Sequence, residues 1–176
     1  MNLNNLFTLV IPVRDRHFNL QSIIKYYDGR PYRKIIYDAS VNPYDGYLGD
    51  LEFQHMSYLN VYKMVKTPYL LNCPDDDIMT QESIDQCVNF LENNPDYSVC
   101  DGEVVEWTPN TNSVFPAPKP DVFRARVLCD WDSMDILDRI RFAVVCCSRG
   151  CMHSVVRTKD AVDIMQNFIN NPCICH

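Results

Sequence analysis

Three consecutive aspartates, Asp75, Asp76 and Asp77, follow a short and mostly apolar segment that begins at Tyr69. This pattern is typical of a buried strand that delivers carboxylates at its end. Neighbouring carboxylates repel one another, and burying part of their charge is costly unless a cation compensates it. Mg²⁺ and Mn²⁺ bind one or two carboxylates together with phosphate oxygens of a ligand. We therefore expect a metal site, formed by all three aspartates, that also takes a phosphorylated ligand.

The alternative interpretation of the aspartates is a solvated turn in front of a helix. Carboxylates near a helix N-terminus interact favourably with the helix dipole, and this accounts for Asp77. It does not account for three aspartates in a row after a buried strand, so the metal site is the preferred hypothesis.

The composition limits the classes of partner. The chain has 176 residues and a formal net charge of −7, which argues against nucleic acid because no stripe of Lys and Arg is present to displace counterions. A smaller anion needs only local positive charge, and five basic residues occur early in the chain: Arg14, Arg16, Arg30, Arg33 and Lys34. No stretch is apolar for long enough to span a bilayer, and the N-terminus lacks a signal-peptide pattern. We expect an intracellular protein.

The nine cysteines are odd in number, and several lie in apolar runs, so we interpret them as reduced core residues. A zinc site is the alternative. Its ligands would come from Cys146, Cys147, Cys151, His153, Cys173, Cys175 and His176. Only Cys173 and Cys175 form a clean short pair, and this spacing is poor for zinc. His17, His55 and His153 are predicted to be packing or surface residues, because none lies at a recognisable ligand spacing.

Strands and helices are predicted to alternate around the aspartates. The continuous apolar run Phe7–Val13 indicates a buried first strand, and Lys34–Asp38 indicates a second. Between them, apolar residues from Leu20 to Tyr27 recur at helical spacing. A strand-helix-strand unit is right-handed in nearly all proteins and places its loops at the carboxyl edge of the sheet. Ligands bind at that edge in open α/β folds, and the aspartates also follow a strand, so they lie at a strand's carboxyl end as well. The sequence leaves open whether the five basic residues converge.

The rest of the chain is predicted to contain further helices and strands, identified from the same spacing of apolar residues. Residues 39–51 are predicted to form a loop, residues 58–65 a second helix, and residues 81–93 a third helix with Thr80 as its N-cap. Strands are expected at 97–100 and 103–107. The last third should contain a short helix at 133–141, apolar runs at 143–147 and 151–156, and a final helix capped by Thr158. We predict an α/β fold with a mostly parallel central sheet flanked by helices and a small antiparallel hairpin region.

In this order of elements, four motifs resemble GT-A glycosyltransferases, in particular the inverting family-2-like enzymes of short microbial and viral type. Thr8–Arg16 is similar to the opening strand and loop of that family, and Tyr37–Ser40 to its second strand. Tyr69–Met79 resembles the strand with the Asp-x-Asp signature, and Asn94–Tyr97 with Asp101-Gly102 resembles the following helix end and strand. The resemblance covers about the first 105 residues.

The resemblance implies a Rossmann-like GT-A domain over residues 1–176, with a nucleotide-sugar-binding half at 1–105 and an acceptor-side half at 106–176. It implies transfer of a hexosyl or deoxyhexosyl group from a nucleoside-diphosphate sugar, of UDP type, to a glycan or glycoprotein hydroxyl with inversion, using Mn²⁺ or Mg²⁺. Pro12, Arg14 and Arg16 would border the nucleotide, and Asp38 would bind the base. Asp75 would face the ribose or the metal, and Asp76 and Asp77 would bind the metal.

The chain departs from the family pattern at the catalytic base. Relatives place this carboxylate beyond the strand that Cys151–Arg157 resembles, and this sequence ends soon after it. The nearest substitutes are Asp130, Asp132 and Asp135. Three explanations stay open: one of these aspartates serves, further domains complete a longer chain, or the activity is altered.

Three other functions compete with this interpretation. A sugar-phosphate nucleotidylyltransferase needs a glycine-rich loop after the first strand, and this chain has none there. A phosphatase of the haloacid dehalogenase type carries its Asp-x-Asp on the first strand, whereas Asp75 lies mid-chain. The third is a non-catalytic module derived from a glycosyltransferase, which binds a nucleotide sugar or carbohydrate. Turnover would separate such a module from an enzyme.

Overall fold

The computed structural model describes residues 3–42, 52–54, 58–102, 105–106, 124–125, 135–138 and 153–170. A short 3-10 helix, Leu3–Asn5, precedes the first strand. The strands are β1 Phe7–Val13, β2 Arg33–Asp38, β3 Glu52–Gln54, β4 Tyr69–Asn72, β5 Val99–Cys100, β6 Val105–Glu106, β7 Arg124–Ala125 and β8 Val155–Arg157. The helices are α1 His17–Tyr27, α2 Tyr58–Met64, α3 Gln81–Asn93 and α4 Thr158–Asn170.

The chain divides into two compact units. The first contains residues 1–101 and 151–176, and the second contains residues 102–150. The first unit holds a six-stranded sheet in the order β3-β2-β1-β4-β8-β5. β1 pairs in parallel with both β2 and β4, and β2 pairs in parallel with β3. β8 is antiparallel to its neighbours β4 and β5, so the sheet is mixed.

Helices cover both faces of this sheet, which confirms the predicted α/β class. Every residue of β1 is buried, as expected for a strand between two helical layers. Alternate residues of β1, such as Leu9 and Ile11, pack in one apolar cluster with Leu20 of α1 and Ile84 of α3. Val10 points to the opposite face. It packs in a second cluster whose helical members come from α2 and α4: Val61, Tyr62 and Ala161.

The helix ends agree closely with the sequence pattern. The Thr80 side chain accepts a hydrogen bond from the backbone N of Ser83 at 3.2 Å, which confirms the predicted N-cap of α3. Helix α1 ends at Tyr27, and Gly29 follows with φ +67°, a backbone conformation that favours glycine. Thr158 was predicted to cap the last helix. It is the first residue of α4, and its hydroxyl donates to the Thr67 carbonyl at 2.8 Å.

The second unit contains the antiparallel pair β6 and β7, in which Val105 lies opposite Ala125. This pair overlaps the predicted strand at 103–107. Residues 136–138 are helical, within the short helix predicted at 133–141. The predicted apolar run at 143–147 lies outside the described residues. Over the described ranges, no helix is long and apolar enough to cross a membrane.

Candidate functional site

The strand order creates a switch point between β1 and β4. The chain leaves β1 through α1 and forms β2 on one side of β1, whereas β4 pairs with the other side. Loops that leave the carboxyl ends of two such strands diverge, and the crevice between them is where open α/β sheets bind ligands. The loop after β1 carries Arg14 and Arg16, and the loop after β4 carries the three aspartates.

Arg16 connects these two loops through the first two aspartates. Its Nη2 lies 2.6 Å from Asp75 Oδ1, and its Nη1 lies 2.5 Å from Asp76 Oδ2. The Asp75 side chain is fully buried, whereas those of Arg16 and Asp76 are 41% and 48% exposed. Burial raises the pKa of Asp75, and the positive charge of Arg16 opposes this shift. The guanidinium thus compensates a carboxylate that burial alone would disfavour.

One oxygen of Asp75 has no hydrogen-bond partner among the described residues. Oδ2 is buried and accepts no hydrogen bond, although unpaired buried carboxylate oxygens are costly. A hard cation satisfies such an oxygen, and Asp75 and Asp76 supply the one or two carboxylates that Mg²⁺ or Mn²⁺ takes from a protein. Within the described ranges, no three Asp, Glu, His or Cys side chains are grouped as a complete metal site. Asp75 and Asp76 therefore fit a cation whose remaining ligands are phosphate oxygens and water.

Asp77 turns to a different partner. Its Oδ2 lies 2.7 Å from Nε2 of His153, a side chain that is 13% exposed. His153 precedes β8, donates its backbone N–H to the Asn72 carbonyl at 3.1 Å, and has φ +71°. A positive φ is uncommon for a residue with a side chain and often marks a functional loop. The prediction that Asp77 binds metal with Asp75 and Asp76 stays a prediction, since Asp77 pairs with His153 here.

The loops after β1 and β2 are held together by hydrogen bonds around Asp38. This carboxylate is fully buried; Oδ1 accepts from the Ser40 backbone N at 2.9 Å, and Oδ2 lies 3.1 Å from His17 Nε2. The Ser40 hydroxyl in turn accepts from the backbone N of Asp15 at 2.7 Å, and Asp15 has φ +57°. Asp38 is at the predicted edge, but both of its oxygens serve the loop. Its predicted contact with a base stays a prediction.

The remaining predicted site residues are placed as follows. Pro12 is buried within β1, where it lies opposite Tyr37, and Arg14 is exposed directly after this strand. Asp135 is exposed in the second unit, and its Oδ1 accepts from the Leu137 backbone N at 2.8 Å. Asp130 and Asp132 lie outside the described residues, as do all members of the alternative zinc set except His153. Of the predicted basic site residues, Arg14 and Arg16 both lie in the loop after β1.

The sequence interpretation missed two histidines. His17 and His153 were expected to be packing or surface residues, yet each lies within hydrogen-bonding distance of an aspartate at this edge. His17 is the first residue of α1. Its position at this edge could have been predicted from the sequence, because a helix that follows β1 must begin at the carboxyl edge of the sheet. His153 gave no such signal. Its position depends on β8 being antiparallel to β4.

The described cysteines show ordinary core chemistry. Cys73, Cys87 and Cys100 are free thiols. Burial raises the pKa of Cys73 to about 12, so its thiol stays protonated at neutral pH. Cys73 lies between β4 and the aspartates, and it therefore acts as a small apolar residue rather than as a metal ligand or nucleophile.

A separate cavity of about 410 Å³ lies on the sheet face that α2 and α4 cover. Its lining is mostly apolar and includes Tyr58, Tyr62, Val156 and Met165, with Asp160 as its charged residue. No basic residue is among the described lining residues, so this part of the lining offers nothing to neutralise a phosphate. A phosphorylated ligand is expected at the loop edge instead.

Fold and site together define a class: an α/β protein with a mixed sheet whose switch point carries a carboxylate and arginine cluster. Comparison of the sequence with known protein families and with curated proteins finds no significant match.

Proposed function

We propose that this protein is a metal-dependent glycosyltransferase of the GT-A type, which transfers a sugar from a nucleoside-diphosphate sugar to a hydroxyl group with inversion. The observation that carries the proposal is the meeting of Asp75, Asp76 and Arg16 at the switch point between β1 and β4. The strand order β3-β2-β1-β4 supports it, because nucleotide-binding doubly wound sheets use the same order around their switch point.

The charges at this edge suit a nucleoside diphosphate as leaving group. When the bond between sugar and phosphate breaks, negative charge develops on the diphosphate, and groups fixed beforehand around it lower the barrier. A divalent ion held by Asp75 and Asp76 would supply Lewis-acid stabilisation of that charge. Arg14 and Arg16 supply positive charge from the loop after β1.

The hydrogen bonds around Asp38 fix the two loops at this edge of the sheet. Ser40 bonds with its backbone N to Asp38 and with its hydroxyl to the backbone N of Asp15. The loops after β1 and β2 are thereby linked before a ligand arrives, which reduces the entropy that binding must spend on ordering them. We expect the nucleoside to lie against these loops, with a UDP-type donor and a glycan or glycoprotein acceptor.

The general base stays a separate prediction. An inverting reaction needs a group that takes the proton from the acceptor hydroxyl on the face of the sugar opposite to the leaving group. Asp130, Asp132 and Asp135 are the candidates from the sequence. If none of them serves, either further domains of a longer chain supply the base, or the same fold acts as a binding module for a nucleotide sugar.

Turnover distinguishes the enzyme from the module. UDP-, GDP- and dTDP-sugars are incubated with the protein, Mn²⁺ and a panel of glycoside acceptors whose hydroxyl groups can receive the sugar, and release of the nucleoside diphosphate is measured. We expect release from one donor class and a loss of at least about 100-fold in the Asp75→Asn/Asp76→Asn variant, the scale seen when a group that stabilises transition-state charge is removed.

The control is Asp96→Asn, which neutralises an exposed carboxylate in the turn after α3 and should keep full turnover. Metal-dependent binding of a nucleotide without release of product would support the module. Equal release by the wild type and the double variant would exclude the proposed site.

A further inference from the structure

Arg16 holds the position between two carboxylates that a cation would hold. One guanidinium contacts Asp75 through Nη2 and Asp76 through Nη1, and Nη2 also lies 3.2 Å from Asp76 Oδ1. The fork of the guanidinium matches carboxylate oxygens in a way that an ammonium group does not. Asp75 still has one buried oxygen without a partner, so the arginine compensates the pair only in part.

The backbone of Arg16 is anchored, and the hydrogen bonds of its side chain to described residues go to Asp75 and Asp76. Arg16 is the residue before α1, and its carbonyl accepts a hydrogen bond from the Asn19 backbone N at 3.0 Å. Its side chain makes no capping hydrogen bond and is 41% exposed. Rotation of this side chain would therefore break its contacts with the two aspartates without disturbing the start of the helix.

A second anion has a natural place beside Arg16. Helix α1 has 11 residues and no acidic residue in its first turn, so its N-terminal N–H groups and dipole favour a negative group. The phosphates of a nucleotide bound at the switch point would approach this helix end. The guanidinium thus lies between two sets of oxygens, those of the aspartates and those expected from a diphosphate.

We propose that Arg16 is an internal counter-cation that competes with the divalent ion for Asp75 and Asp76, and that it exchanges the carboxylates for the diphosphate when the donor binds. The inference rests on the proposed function and specifies how its metal site is controlled. Metal without nucleotide must displace the guanidinium, which leaves Arg16 without an anionic partner. Nucleotide supplies that partner. Metal and nucleotide should therefore strengthen each other's binding, and by linkage the coupling is reciprocal.

The experiment measures Mn²⁺ binding by electron paramagnetic resonance of the free ion, first without nucleotide and then with saturating UDP, GDP or dTDP. The test variant is Arg16→Gln, which removes the charge but keeps a polar side chain. The matched control is Lys25→Gln, which removes one positive charge at an exposed position in the last turn of α1, at the helix end away from the site. Circular dichroism checks that each variant is folded.

Without nucleotide, Arg16→Gln should bind Mn²⁺ about tenfold more tightly than the wild type, because the competing partner is gone. Lys25→Gln should stay within about twofold of the wild type, since it lies at the far end of α1 and exposed charges interact weakly. With saturating Mn²⁺, the effect on nucleotide binding should be opposite. Arg16→Gln should bind the nucleotide less tightly than the wild type does. If Arg16 had a purely structural role, Arg16→Gln would bind both Mn²⁺ and the nucleotide less tightly than the wild type.

Three results would overturn the inference. Equal Mn²⁺ affinity in the wild type and Arg16→Gln shows that no competition occurs, and it leaves the proposed function standing. Weaker Mn²⁺ binding in Arg16→Gln shows that Arg16 only positions the carboxylates. Absence of Mn²⁺ binding in every protein, with every nucleotide, removes the metal site and the proposed function with it. If Arg16→Gln does not fold, Arg16→Lys replaces it. Lysine keeps the charge without the fork, so Mn²⁺ should bind about threefold more tightly than in the wild type.

Discussion

Replacing Arg157 with alanine is expected to lower the free energy of unfolding by about 3–4 kcal/mol. Arg157 is the last residue of β8, and its guanidinium donates to three backbone carbonyls near the end of α3: Leu91 at 2.7 Å, Asn94 at 3.1 Å and Tyr97 at 2.7 Å. Carbonyls at a helix C-terminus have no partner within the helix. Alanine would leave these carbonyls without their charged donor.

The same side chain also contacts β4. Its Nη1 donates to the Tyr69 hydroxyl at 3.1 Å, and the guanidinium lies 5.4 Å from the centre of the Tyr69 ring. Tyr69 Oη in turn donates to Glu92 of α3 at 2.6 Å. One arginine therefore joins β8, β4 and the end of α3, and its loss should loosen all three elements together.

Urea denaturation measures this effect. Lys159→Ala is the matched control, because it removes one positive charge at an exposed position two residues away and should change the free energy of unfolding by less than about 0.5 kcal/mol. Arg157→Lys should recover only part of the loss, because an ammonium cannot reach carbonyls arranged for a fork. Wild-type stability in Arg157→Ala would show that the network contributes nothing.

The second large effect is expected at Leu71. Replacing it with alanine should lower the free energy of unfolding by about 3–4 kcal/mol. Leu71 is fully buried in β4 and belongs to the apolar cluster that α1 and α3 cover. Truncation removes the transfer free energy of the deleted groups and leaves a cavity, since a strand with neighbours on both sides cannot collapse around it. Leu71 precedes Asp75 by four residues, so the cavity would also weaken the support of the proposed metal ligands.

Ile164→Ala is the control for the size of the side chain, because it deletes a similar apolar group at a position of α4 that is 57% exposed. It should change the free energy of unfolding by less than about 0.5 kcal/mol. A loss at Leu71 no larger than that at Ile164 would contradict the placement of β4 in the core.

The parallel part of the fold could be predicted because its strands are nearly pure apolar runs. Phe7–Val13 is buried along its whole length, and an apolar run of this kind is typical of a strand covered on both faces. Strand, helix and strand then fix the edge at which Arg16 and Asp75 meet, because right-handed crossovers keep the carboxyl ends of parallel strands together. The shared edge of the two loops follows from the expected topology, whereas the contact between the two side chains was not predicted.

The partners of the other site residues could not be predicted in the same way. Val155–Arg157 is too short to reveal its direction, and only its antiparallel pairing with β4 brings His153 beside Asp77. Three adjacent aspartates read as one cluster in sequence, but the turn after β4 directs the third away from the first two. Such contacts are determined by long-range strand pairing and by turn geometry. Neither can be predicted from the local spacing of apolar residues.

The most direct test of the donor site is a thermal-shift panel of UDP, GDP and dTDP, each with and without Mn²⁺. The wild type is compared with Asp75→Asn/Asp76→Asn and with the exposed control Asp96→Asn. We expect one diphosphate with Mn²⁺, at about a hundred times its Kd, to stabilise the wild type and the control by about 2.7 kcal/mol, or roughly 5–10 °C in Tm. The double variant should show no shift. No shift with any diphosphate, or the same shift in the double variant, would contradict a metal-dependent nucleotide site at the switch point.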